Sequence, residues 1–89
     1  MIDRTLRIVN EKGLHARASA KFVEVVERYD ADAEVSKDGM SVSGDSIMGL
    51  LMLAASKGTS IEVRTSGAQA GALADALQAL VAARFGEDF

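Results

Sequence analysis

The chain contains no cysteine, no proline and no tryptophan, and it has a single histidine. Without cysteine there can be no disulfide, no zinc–thiolate site and no thiol nucleophile, an absence that fits a reducing cytoplasm. One imidazole among scattered carboxylates gives no metal-ligand spacing, and no cofactor motif stands out. Positive charge is also scarce: 10 Lys and Arg against 13 Asp and Glu leave a net charge of −3. Nucleic-acid binding draws on a basic surface that displaces counterions, so the balance argues against it. The opening MIDRTLRIVN is charged and alternating, too polar for a signal peptide or a membrane span. The protein is therefore expected to stay in the cytoplasm.

What remains is a soluble globule. The 89 residues suit one domain spanning 1–89, and 48% hydrophobic with 26% charged residues argues for folding rather than disorder. Three Phe and one Tyr leave the core to Val, Leu, Ile, Met and Ala. No repeat, linker or low-complexity stretch divides the chain.

Thr5 to Val9 alternates, with Leu6 and Ile8 on one side and Arg7 on the other, which predicts a half-buried strand. Asn10 to Gly13 reads as a polar turn. From Ala16 to Arg28 the spacing is helical, with Ala16, Ala20 and Val23 on one edge of a stripe and Phe22, Val26 and Tyr29 on the other. Asp38-Gly39 between the runs Ala33–Lys37 and Met40–Ser43 predicts a tight hairpin, because this pair tolerates positive φ. Ser46 is a natural N-cap for the apolar helix IMGLLMLAA, and Gly58 ends it or the turn after it. SIEVRTS alternates again, burying Ile61 and Val63. Leu73, Leu77, Leu80 and Val81 then mark an amphipathic helix to about Arg84. Asp75 and Gln78 read as a solvated face, and the ending FGEDF as frayed, with Phe85 available to close the core. The order predicts an α+β, two-layer open-faced sandwich: a four-stranded, mostly antiparallel sheet with three helices on one face. Many unrelated modules share that order, so it decides no function.

The chemistry concentrates at GLHARASAKF, residues 13–22. His15 stands where a helix begins, and the first N–H groups of a helix lack intrahelical acceptors. Such an end favours anions, and Arg17 adds a forked donor suited to phosphate oxygens. Positive surroundings also favour the neutral imidazole, whose free lone pair is a nucleophile. The arrangement suits an imidazole that accepts a phosphoryl group and holds it reversibly. The plainer reading makes His15 a cap and Arg17 a solvated charge. In that case the chain is a ferredoxin-like regulatory or ligand-binding module with His15 incidental.

GLHARASAKF resembles the active-site segment of HPr, the histidine phosphocarrier of the bacterial phosphoenolpyruvate phosphotransferase system. GDSIMGLLMLAASKG, residues 44–58, resembles the regulatory-serine segment of the same family. The resemblance runs along essentially the whole chain. It implies that His15 takes phosphate from phosphorylated Enzyme I through the ring nitrogen nearer the backbone, and passes it to a IIA-type acceptor. Arg17 would bind the phosphate, and Ser46 would be the target of HPr kinase/phosphorylase. Such a protein is a carrier with no catalytic turnover of its own and needs no cofactor. Where the family commonly has Pro, this chain has Ala18, which leaves a less rigid helix start but adds an N–H. The Ala-Ser pattern resembles members whose system is regulatory and linked to nitrogen metabolism rather than sugar import.

The segment after Ser46 has more apolar residues than one thin domain can bury. Leu50 and Leu53 are expected in the core, leaving Ile47, Met48 and Leu51 exposed near the His15 end. With Ala16 and Ala20 they would form a docking patch for successive partners, adaptable through Met. A protein that presents one face to several partners is expected to be a monomer.

Overall fold

The computed structural model describes all 89 residues. The elements follow in the order β1 (Ile2–Arg7), α1 (Ala16–Glu27), β2 (Asp32–Lys37), β3 (Met40–Ser43), α2 (Ile47–Met52), β4 (Ser60–Ser66) and α3 (Ala70–Ala82). The four strands form one sheet in the order β1-β4-β2-β3, and every neighbouring pair is antiparallel. The three helices cover one face, and the open-faced α+β sandwich expected from the pattern is the fold.

Alternation builds the two layers. Leu6, Ile61, Val63, Ala33 and Val35 point into the helical layer, while Glu34, Glu62 and Arg64 stay exposed on the open face. Phe22, Leu50, Leu73, Leu77 and Val81 meet the sheet from the helices. The Asp38-Gly39 turn has φ of 50° and 82°, the positive pair that matches a hairpin to the right-handed twist of its strands.

Several boundaries differ from the sequence reading. β1 begins at Ile2 rather than Thr5, because its pairing with β4 continues to Ile2 opposite Thr65. Helix α2 stops at Met52 where nine residues looked helical; Ala54 takes a φ of 52°, and Ala55 turns inward instead. On α1 the buried line is Ala18, Ser19, Phe22, Val25 and Val26, so Ala16 and Ala20 lie on its outer side. Asp75 and Gln78 are not merely solvated: Arg4 reaches both, at 3.0 and 2.6 Å, tying α3 to β1.

The largest departure is the ending. FGEDF is not frayed. Arg84, Phe85 and Gly86 take positive φ in succession (58°, 55° and 78°), a left-handed turn that costs the two non-glycine residues about 1–2 kcal/mol each. Phe85 is fully buried in the core and offsets that cost, and the Lys21 ammonium donates to its carbonyl at 2.6 Å. Beyond it, the Glu11 amide donates to the carbonyl of Phe89 at 3.1 Å, so the last residues lie back against the start of α1.

Candidate functional site

The loop that carries His15 is fixed before the helix starts. Gly13 has a φ of 65°, and a Cβ there would sit 2.5 Å from the carbonyl oxygen of Ala55, so only glycine fits both the conformation and the space. The next residue, Leu14, is buried and donates its amide to that same carbonyl at 2.9 Å. The loop is thus tied to the segment after α2. His15 follows in extended backbone (φ −80°, ψ −176°) as the N-cap of α1.

His15 is an N-cap by position but not by side chain. Its carbonyl accepts the Ser19 amide at 2.8 Å, while its ring makes no capping hydrogen bond. The amides of Ala16, Arg17 and Ala18 therefore find no acceptor within the protein. No acidic side chain occupies the first turn to compensate them. This end of α1 keeps its donors and its partial positive charge for something else.

The ring itself is neither buried nor loose, with 27% of its side-chain surface exposed. Its Nε2 is hydrogen-bonded to Oε2 of Glu87, while Nδ1 has no partner in the protein. Glu87 is held in turn: the buried Asn10 amide nitrogen donates to its Oε1 at 3.0 Å and to the Gly13 carbonyl at 2.8 Å. Burial opposes the charge on Glu87. The hydrogen bonds from Asn10 and His15, with the His15 and Lys12 charges, prevail and hold its carboxyl below the usual range.

Arg17 is exposed and pairs with no carboxylate of the chain, leaving its guanidinium fork free. It shares one shallow cleft with Lys12, His15, Lys21 and Glu87. The sequence reading thus has its two principal residues in one place, beside unfilled amides. It missed Asn10, Lys21 and Glu87. The legible signal for the tail was Phe followed at once by Gly, an apolar anchor and a turn residue directly after a helix.

Ser46 stands at the start of α2. The Ser46 hydroxyl accepts the Gly49 amide at 3.0 Å and caps α2. Ile47 and Met48 are exposed, 40% and 70%, and Leu50 and Leu53 are buried as expected. Leu51 differs: it is half-buried, while Met52 on the same helix is exposed. Helices α1 and α2 pack against each other, with Ala16 exposed and Ala20 half-buried on α1.

The family model for the PTS HPr component phosphorylation site matches residues 2–83. The chain belongs to the HPr family. It is 45% identical to the phosphocarrier protein HPr of Neisseria meningitidis serogroup A, over 98% of both chains. It is 37% identical to the phosphocarrier protein NPr of Shewanella violacea, over 97% of this chain and 94% of that one. The crystal structure of HPr-C-His from Thermoanaerobacter tengcongensis superposes with a TM-score of 0.95 at 34% identity, covering the whole of both chains. HPr proteins belong to the phosphotransferase system and are phosphocarriers rather than stand-alone catalysts. None of the helices here is long and apolar enough to cross a membrane. No group of three or more His, Asp or Glu side chains is placed to hold a metal.

Proposed function

We propose that this chain accepts a phosphoryl group on His15 from phosphorylated Enzyme I and passes it to a IIA-type acceptor. One observation carries the reading: a partly exposed imidazole caps a helix whose first amides are unfilled, beside an unpaired guanidinium. A phosphate on the ring would meet donors that need no rearrangement, and Arg17 would grip its oxygens in a fork. The partners supply the rest of the transition-state stabilisation, so the carrier needs neither metal nor base of its own.

Three finer features follow from the same reading. Ala16, Ala20, Ile47, Met48 and Leu51 form the docking surface, supported by the exposure of Ile47 and Met48 on a helix packed against α1. Ser46 is a regulatory phosphorylation site for HPr kinase/phosphorylase, supported by its place as the cap of α2. A regulatory, nitrogen-type system rather than sugar import is supported by the match to NPr of Shewanella violacea. The protein works as a monomer in the cytoplasm.

Incubation with Enzyme I and radiolabelled phosphoenolpyruvate tests the central step. Acid-labile, base-stable label that disappears in His15→Ala supports the carrier. Absence of label on the wild-type chain refutes it.

A further inference from the structure

The tail after α3 lies past residue 83, where the match to the family model ends, and it carries Glu87. Arg84 and Phe85 adopt a left-handed backbone that L side chains rarely take. Strain of this kind persists only where the surroundings over-determine it. Here they do: Phe85 is buried, Lys21 holds its carbonyl, and the Gly86 and Glu87 amides close the turn on Ala83 and Arg84 at 3.0 and 2.9 Å. The turn reverses the chain and delivers Glu87 to the one histidine. Asn10 then fixes the free oxygen of that carboxylate.

We infer that Glu87 is a positioning residue for phosphoryl acceptance: its Oε2 takes the hydrogen bond from Nε2–H of His15 and so keeps the lone pair of the neutral ring on Nδ1. The inference rests on the carrier reading above. In the step, the Nδ1 lone pair forms the N–P bond while the bond from phosphorus to the donor protein breaks, its electron pair remaining with the donor. The Nε2 proton stays on the ring throughout. As Nδ1 gives up its electrons the ring gains positive character, and the Glu87 carboxylate offsets it across the hydrogen bond. No proton is released and no further reactant is needed. A carboxylate that sets the tautomer of a functional imidazole through its far nitrogen is a general device.

The test combines the ring's 15N NMR signals, recorded where the imidazole is neutral, with the rate of transfer from phosphorylated Enzyme I. The wild-type chain should show Nε2 protonated and Nδ1 bare. Glu87→Gln keeps a carbonyl oxygen for Nε2–H, so it should retain that tautomer and lose only part of the rate. Glu87→Ala should shift both ring signals toward the mixture of a free imidazole, with transfer slowed roughly tenfold, as for other groups that orient a functional histidine. A merely structural tail would not separate the two variants by tautomer. Wild-type ring signals in Glu87→Ala, or transfer as fast as wild type, would overturn the inference alone. Failure of the wild-type chain to accept phosphate at all would remove the carrier reading as well.

Discussion

Asn10 and Glu87 lie 77 positions apart in the chain, and their side chains meet at 3.0 Å. The Asn10 amide nitrogen serves two ends at once, the loop at Gly13 and the tail at Glu87, and the residue is completely buried. Its Oδ1 has no partner. Asn10→Ala should therefore cost about 1–3 kcal/mol in urea unfolding, since two acceptors lose their donor. Amide NMR signals of residues 84–89 should shift toward those of a free tail. Signals unchanged from wild type would show that Asn10 does not hold the tail.

Acid should release the same contact. The carboxyl of Glu87 sits below its ordinary value in the folded state, so the folded chain resists protonating it. Its contribution to stability is then complete above the ordinary carboxylate value and is lost as pH falls through the lower, folded one. The stability difference between wild type and Glu87→Gln should vanish on acidification below the usual carboxylate range. Urea melts across that range measure it. A difference that grew toward low pH would contradict the assignment.

Gly13 sets the height of the loop below His15. Alanine there would place a Cβ 2.5 Å from the Ala55 oxygen in a backbone conformation with φ of 65°. The conformation alone costs about 1–3 kcal/mol, and backbone atoms must move to clear the clash. For a domain of this size each kcal/mol lowers the melting temperature by about 4–8 °C. Calorimetry on Gly13→Ala should show at least that shift, with slower phosphate uptake as the loop carrying His15 moves.

The legible parts of this molecule are those encoded locally. Period-two alternation at Ile61 and Val63 placed β4, the Asp-Gly pair placed the hairpin, and the Gly-Leu-His-Ala-Arg run placed the imidazole at a helix start. The tail was only partly legible: Phe85 followed by Gly86 hints at an anchored turn, but nothing local places the acidic end beyond it against His15. Its order comes from contacts 64 to 77 positions away, through Lys21, His15 and Asn10. Asn10 was hidden for the same reason: in sequence it is an ordinary turn residue, and only the folded tail makes it a buried donor. Leu51 was misjudged because a run that is apolar all round the helix axis does not reveal which side faces the core.

At Ser46 the cap and the regulatory role can be separated. Ser46→Ala removes the acceptor of the Gly49 amide and should cost about 1 kcal/mol. Incubation with HPr kinase/phosphorylase and ATP should put acid-stable label on the wild-type chain and none on Ser46→Ala. Label surviving the substitution would move the regulatory site elsewhere, while leaving the cap intact.

The same short helix offers a cleaner division between folding and docking. Leu50 is fully buried and Met48 is 70% exposed, two positions apart on α2. Leu50→Ala should open a cavity and cost about 2–5 kcal/mol. Met48→Ala removes side chain that the folded chain barely uses, so stability should hold within about 0.5 kcal/mol. If this face meets Enzyme I, the substitution should instead raise the KM for this protein as substrate and leave the maximal transfer rate near wild type, because the chemistry at His15 is untouched. Steady-state transfer assays with varied carrier concentration read both quantities. A Met48→Ala chain with unchanged KM would exclude Met48 from the docking face, and a loss confined to the maximal rate would place its effect on the reacting groups instead.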